Sequence, residues 1–167
     1  GRVLAEELER LGVDVVHLAD VHDQRPFSQA YQRSARTVQE ALQWHGGVVA
    51  VLDLHRDAIE RPPGKDYTTI TVDGRPVAKI LLMVGSEGNP HAQANTAFAE
   101  TLKSLMDRMY PGLARGVKVQ RASYNGQLHP RSLQVFVGDY RLNTLEEARE
   151  SARLLARVLK AWLDAQA

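Results

Sequence analysis

The sequence has no cysteine. That excludes a disulfide framework and a thiolate metal site. It has no apolar run near the ~20 residues that a bilayer-spanning helix needs. Its opening residues do not read as a signal peptide. It has almost no net charge, since 21 Lys and Arg against 20 Asp and Glu leave +1. No basic excess points to nucleic acid, and no acidic block points to a solvating tail. There is no internal repeat, low-complexity tract or linker. What is present is a globular composition, 44% hydrophobic and 25% charged over 167 residues. This predicts a single domain over 1–167 with a sizeable core.

The chain opens at Gly1 in a helical pattern, with Val3, Leu4, Leu8 and Leu11 on one face. Strands and helices then alternate. Residues 13–18 (VDVVHL) read as a short strand. Phe27, Tyr31, Ala35, Val38 and Leu42 recur at helical spacing, and Gly46-Gly47 stops that helix. Residues 48–54 (VVAVLDL) form a continuous β-branched run, as in a central strand covered on both faces. Residues 67–72 and 77–84 flank Asp73-Gly74-Arg75-Pro76 and predict a hairpin with Pro76 at its edge. A helix runs through Ala94, Phe98, Leu102, Leu105 and Met109 to a stop at Tyr110-Pro111-Gly112. Residues 117–121 and 133–137 are two more strands. The last helix carries Leu145, Ala148, Ala152, Leu155, Leu159 and Trp162 in one stripe, with Thr144 and Glu147 as a capping box. The expected fold is α/β: a mostly parallel central sheet with helices on both faces, plus a β-hairpin insertion. A helix ahead of any strand suggests that a first strand precedes Gly1.

In such a sheet, ligands bind beyond the carboxyl ends of the strands. There stands Asp53-Leu54-His55-Arg56-Asp57. Side chains alternate along a strand, so Asp53 and His55 share one side. A neutral imidazole is a common zinc ligand, and a neighbouring carboxylate fixes its tautomer. The segment is therefore a candidate metal ligand with its supporting shell. The alternative is a hydrogen-bonded strand-end histidine beside a surface ion pair.

Other candidates are weaker. His22-Asp23 follows a strand and reads as a loop pair, with a ligand or substrate contact as the alternative. His45 falls at a helix C-terminus, where the dipole favours it. His17 is expected to pack within a strand; His91 and His129 lie in loops. The loop Gly85-Ser86-Glu87-Gly88-Asn89-Pro90 lacks the ending of a P-loop and the spacing of a dinucleotide fingerprint. Ser86 and Ser123 lack the local signature of an activated nucleophile. Tyr124-Asn125-Gly126 predicts a tight turn, with Tyr124 as a possible stacking surface for a ligand.

Six segments together resemble the stage II sporulation protein P family: VLDLHRDAI (51–59), VGSEGNP (84–90), NTAFAETL (95–102), YPGLARGV (110–117), YNGQLHPRSL (124–133) and NTLEEA (143–148). The resemblance runs from about residue 3 to 159. It implies the fold of zinc-dependent N-acetylmuramoyl-L-alanine amidases and cleavage of peptidoglycan during spore engulfment. That cleavage would include the amide between N-acetylmuramic acid and L-alanine, and peptide cross-links. By resemblance, His55 is a zinc ligand supported by Arg56 and Asp57, and a glutamate is the general base. Peptidoglycan is the implied partner, along with other sporulation cell-wall proteins. Nucleic acid is not implied. The implied place is extracytoplasmic, tethered to the membrane by a segment outside this fragment.

Two departures stand out. The family's other metal ligands lie in a histidine and glutamate motif upstream of Gly1, so the chain reads as N-terminally truncated with an incomplete zinc site. Within 133–138 (LQVFVG), Phe136 occupies the position where the family carries a glutamate. Phenylalanine can neither take nor give a proton. The alternative function is thus a catalytically inactive relative that binds peptidoglycan or a partner protein.

Overall fold

The computed structural model describes residues 1–22 and 25–166. Its element order is α1 (Arg2–Arg10), α2 (Ala30–Trp44), β1 (Val51–Asp57), β2 (Thr69–Val72), β3 (Arg75–Ala78), β4 (Ile80–Gly85), α3 (Ala92–Met109), β5 (Ala114–Gln120), β6 (Ser132–Asp139) and α4 (Leu145–Asp164). The main sheet has the order β1-β6-β4-β5. β1 and β6 are parallel, as are β4 and β5, while β4 and β6 run antiparallel. The mostly parallel α/β reading therefore holds. β2 and β3 form the expected hairpin as a separate sheet, with Val72 opposite Arg75. Asp73 and Gly74 both take positive φ, at 50° and 75°, the backbone that suits a two-residue hairpin turn. The predicted run 77–84 breaks at Lys79, so that its halves serve two sheets.

Alternation along the strands sorts the two faces. Leu133, Val135 and Val137 of β6 join Ile80, Leu82 and Val84 of β4 in the core. There they meet Leu102 and Met106 of α3 and Leu155, Val158 and Leu159 of α4. Phe98 and Trp162 lock the two helices together, with ring centroids 4.8 Å apart. α1 packs on α4 through Leu4 and Leu8. α4 starts on the predicted capping box, where Glu147 N donates to Thr144 Oγ1 at 3.1 Å and Thr144 N donates to Glu147 Oε2 at 3.0 Å. Leu145, read as part of the buried stripe, is 59% exposed; it is the first helical residue, ahead of the turn that meets the sheet.

Among the described residues, α2 is the helix on the opposite face. That helix has no buried residue. Its link to the sheet is Tyr31, whose hydroxyl accepts a hydrogen bond from Gln134 of β6.

Two strand predictions need correction. Among the described residues, 13–18 pair with no strand, and Val16, His17 and Leu18 are exposed. His17 is therefore not packed within a strand. Residues 48–54 were expected to be a central strand; β1 instead starts at Val51, stands at the sheet edge and is half-buried at every position. A β-branched run fits any strand with one apolar face, and its rank in the sheet is decided by distant pairing.

Candidate functional site

β1 runs three residues beyond Leu54, so His55 lies within the strand rather than past it. In the parallel ladder Asp53 stands opposite Gln134, and His55 opposite Phe136. The period of two puts all four on the α2 side of the sheet, away from the core. His55 Nε2 lies 2.9 Å from Asp53 Oδ2. The ring nitrogen is buried and has no directed hydrogen bond. On its other side the imidazole stacks on Phe136, with centroids 5.4 Å apart and planes 25° from parallel.

The carboxylate beside it holds the His55 pKa above the ordinary imidazole value, against the opposing effect of burial. Burial is the largest single influence on Asp53 and works to raise its pKa. His55, Gln134 and the more distant His22 together outweigh burial and bring it below the usual value. Each shift favours the charged form relative to the isolated side chain.

Gln134 is 2% exposed. Its Nε2 donates to Tyr31 Oη at 3.1 Å and to Asp53 Oδ2 at 3.4 Å. Its Oε1 is buried without a partner. Tyr31 also meets Tyr124, with ring centroids 5.8 Å apart and planes tilted by 50°. The predicted turn at Tyr124-Asn125-Gly126 is present, with φ of 49° at Tyr124 and 57° at Asn125. Asn125 Nδ2 donates to Tyr31 O and to Ser34 Oγ, tying the turn to α2.

The other predicted residues go elsewhere. Arg56 Nη2 donates to Asp139 O at 2.8 Å and Asn143 O at 2.6 Å, fastening β1 to the loop after β6. Asp57 pairs with Arg115 of β5, past an irregularity in the β1 ladder. Neither supports His55, because Arg56 faces the opposite way and Asp57 follows the bulge. His22 is half-buried rather than a freely solvated loop side chain; its Nε2 sits 2.8 Å from Thr37 Oγ1, and its carbonyl accepts from Arg33. Asp23 lies outside the described residues. The loop 85–90 is closed by amides: Asn89 donates to Gly85 O and Asn95 Oδ1, and buried Asn95 donates to His129 O.

Sequence reasoning missed Gln134 and Tyr31. Gln134 had a signal, since it is the one polar residue in the run LQVFV and shares a face with Phe136. Tyr31 was hidden because its helical spacing reads as core.

Among the described residues no group of three or more His, Cys, Asp or Glu side chains is placed to hold a metal. Catalytic zinc takes three protein ligands. His55 and Asp53 fit only part of such a site.

The family model described as stage II sporulation protein P (SpoIIP) matches residues 1–160. The stage II sporulation protein P of Bacillus subtilis (strain 168) is 31% identical over 137 residues, covering 79% of this chain and 33% of that protein. The chain thus spans about a third of the length of this relative. Two solved structures share the fold. One is the CwlD amidase from Clostridioides difficile, in complex with the GerS lipoprotein; its TM-score is 0.60 at 12% identity, over 98% of this chain and 82% of that one. The other is the N-acetylmuramoyl-L-alanine amidase AmiC2 of Nostoc punctiforme, with a TM-score of 0.54 at 14% identity, over 98% and 79%.

Proposed function

The chain belongs to the stage II sporulation protein P family, and from that premise we propose that it acts on cell-wall peptidoglycan as an amidase-fold hydrolase domain. The bond at issue is the amide between N-acetylmuramic acid and L-alanine, with peptide cross-links as a further target. One observation carries this reading. The His55 imidazole, fixed by the Asp53 carboxylate at 2.9 Å, stands on the α2 side of an amidase-like sheet. His55 would hold one corner of a zinc ion, which when bound would polarise the amide carbonyl and activate a water. No step is routed through that ion here, since the described residues supply too few ligands. Asp53 keeps the imidazole oriented, and Gln134 in turn holds Asp53. The role belongs outside the cytoplasm, in spore engulfment, beside other sporulation cell-wall proteins.

A second reading has its own observation. Phe136 fills the place of the family glutamate and lies ring to ring with His55. No carboxylate can act as base from that position. The domain would then hold peptidoglycan, or a partner, without cutting it.

The discriminating experiment adds zinc to the protein with purified peptidoglycan and counts newly freed alanine amino groups. Release by the natural protein establishes the hydrolase. Silence that Phe136→Glu reverses establishes the binding domain. Silence from both, with no retention on peptidoglycan, overturns both readings.

A further inference from the structure

The neighbours of His129, in the loop between β5 and β6, dictate where its ring carries a hydrogen. Its Nδ1 accepts the Arg131 backbone N–H at 3.0 Å. A ring nitrogen that accepts carries no hydrogen, so the one hydrogen of the neutral ring sits on Nε2. Nε2 lies 3.2 Å from the Val48 carbonyl, which can only accept. One tautomer of the neutral ring therefore meets both contacts. The imidazolium carries a hydrogen on each nitrogen and turns Nδ1 from acceptor into donor. It then faces the Arg131 N–H donor to donor, and that bond is lost.

These bonds fasten the loop to the elements around His55. Val48 leads into β1, the strand of Asp53 and His55, and Val51 N donates to Arg131 O at 2.9 Å where that strand begins. Four residues before His129, Asn125 ties the same loop to α2 through Tyr31 O and Ser34 Oγ. On the far side, Asn95 of α3 donates to the His129 carbonyl at 2.9 Å, a bond indifferent to the charge of the ring. α3 thus holds the loop while the ring's proton sets the β1 side. Among the described residues, no carboxylate pairs with this ring. α3 presents the neutral Asn95, and the lead-in to β1 presents backbone. Arg131 is itself a cation, lying over the Trp162 ring of α4 and 3.5 Å from Val49 O. His55 differs, since Asp53 stands beside it.

We propose that His129 is a pH-sensitive latch. Neutral, it closes the β5–β6 loop onto the start of β1. Charged, it releases that contact, and the tether of α2 at Asn125 slackens with it. α2 buries none of its residues, and an element with so little packing opens at low cost. Mild acid thus loosens the cover on the His55 side of the sheet, whatever ligand that side takes.

The test is NMR on the whole isotope-labelled chain with no ligand added. At about pH 8 the His129 ring nitrogens are expected to show the neutral form with its hydrogen on Nε2. The pH is then lowered to about 5, across the interval in which imidazoles charge. Exchange of the Arg131 amide, corrected for its intrinsic pH dependence, is expected to quicken by about tenfold, the scale of one neutral hydrogen bond. Amides of α2 quicken with it, while those of β4 and β6 stay level. His129→Asn is the companion variant. An asparagine side chain bonds the backbone two residues on and does not titrate, so this variant keeps the Arg131 amide protected at both ends of the range. A hydrogen on Nδ1 at pH 8, a flat Arg131 response, or the same acid response in His129→Asn overturns the latch. Level α2 amides beside a quickened Arg131 overturn its link to the His55 face. If His129→Asn fails to fold, the tautomer and the Arg131 exchange of the natural chain still decide.

Discussion

Phe136 and His55 face each other across the β1–β6 ladder, their rings 5.4 Å apart. The contact is a consequence of strand register, which holds position 136 beside the imidazole. A carboxylate there would sit within reach of a water or amide held at His55. Phe136→Glu is therefore expected to raise amide hydrolysis by roughly 10²–10⁴-fold, the scale of a placed general base. Amino-group release from peptidoglycan measures it. No gain over the natural protein would show that the base stands elsewhere.

His55→Ala is the complementary test. If His55 is one zinc ligand, this variant should leave the protein with less bound zinc after dialysis, read by elemental analysis. Thermal stability should change little, since the side chain is 39% exposed on the lightly covered face. Unchanged zinc content would remove His55 from the metal site.

The elements with strong local signals were legible in the sequence. α4 showed its capping box and stripe, and the hairpin showed Asp73-Gly74. Asp53 and His55 were also legible, since strand alternation puts them together. What stayed hidden depended on pairing between distant segments. Val13 and Val15 fit a strand locally, yet no neighbour pairs with them. The dispersal of Arg56 and Asp57 follows from a bulge and from Arg115, some sixty residues away in the chain. Gln134 became part of the site only once β6 was known to lie against β1.

Arg115 gives a stability prediction. Its side chain is 6% exposed, pairs with Asp57 and lies over the Tyr67 ring at 5.4 Å. Arg115→Ala leaves Asp57, 22% exposed, with only the Ala58 N–H as partner, while also removing two buried unsatisfied Arg115 nitrogens, at a net cost of about 1–3 kcal/mol. Arg2→Ala breaks a pair whose side chains are 72% and 56% exposed and should cost well under ~1 kcal/mol. Urea unfolding of both variants checks the contrast. Similar midpoints would mean that the Asp57 pair contributes little.

Gly138 takes φ of 59°, and a Cβ there would lie 2.5 Å from Asn143 Oδ1 and 2.8 Å from Ala78 Cβ. Backbone and space both oppose a side chain. Gly138→Ala should destabilise by about 1–3 kcal/mol. For a chain of this length that lowers the melting temperature by several degrees, at roughly 2–4 °C per kcal/mol. An unchanged melting temperature would mean that the loop after β6 yields freely.

Acid should loosen the same loop. For Asp139, burial is the largest influence and raises the pKa, but hydrogen bonds from the Ile59, Arg141 and Leu142 backbones bring it below the ordinary value. In Glu147, burial is likewise outweighed by Lys65, Asn143 and the Thr144 backbone. Both carboxyls therefore hold protons less tightly folded than unfolded. Their stabilisation is fully present above the unfolded values of about 4. As pH falls below that, the unfolded chain takes up protons first, and stability is lost through the lower folded values. The urea midpoint should stay level from about pH 6 to pH 5 and drop below about pH 4. Glu147→Gln cannot ionise, so it should start less stable near neutrality and lose less on acidification. If the variant and the natural chain lose stability in parallel, Glu147 does not drive the acid transition, and the burden falls on the other depressed carboxyls, Asp139 and Asp53 among them.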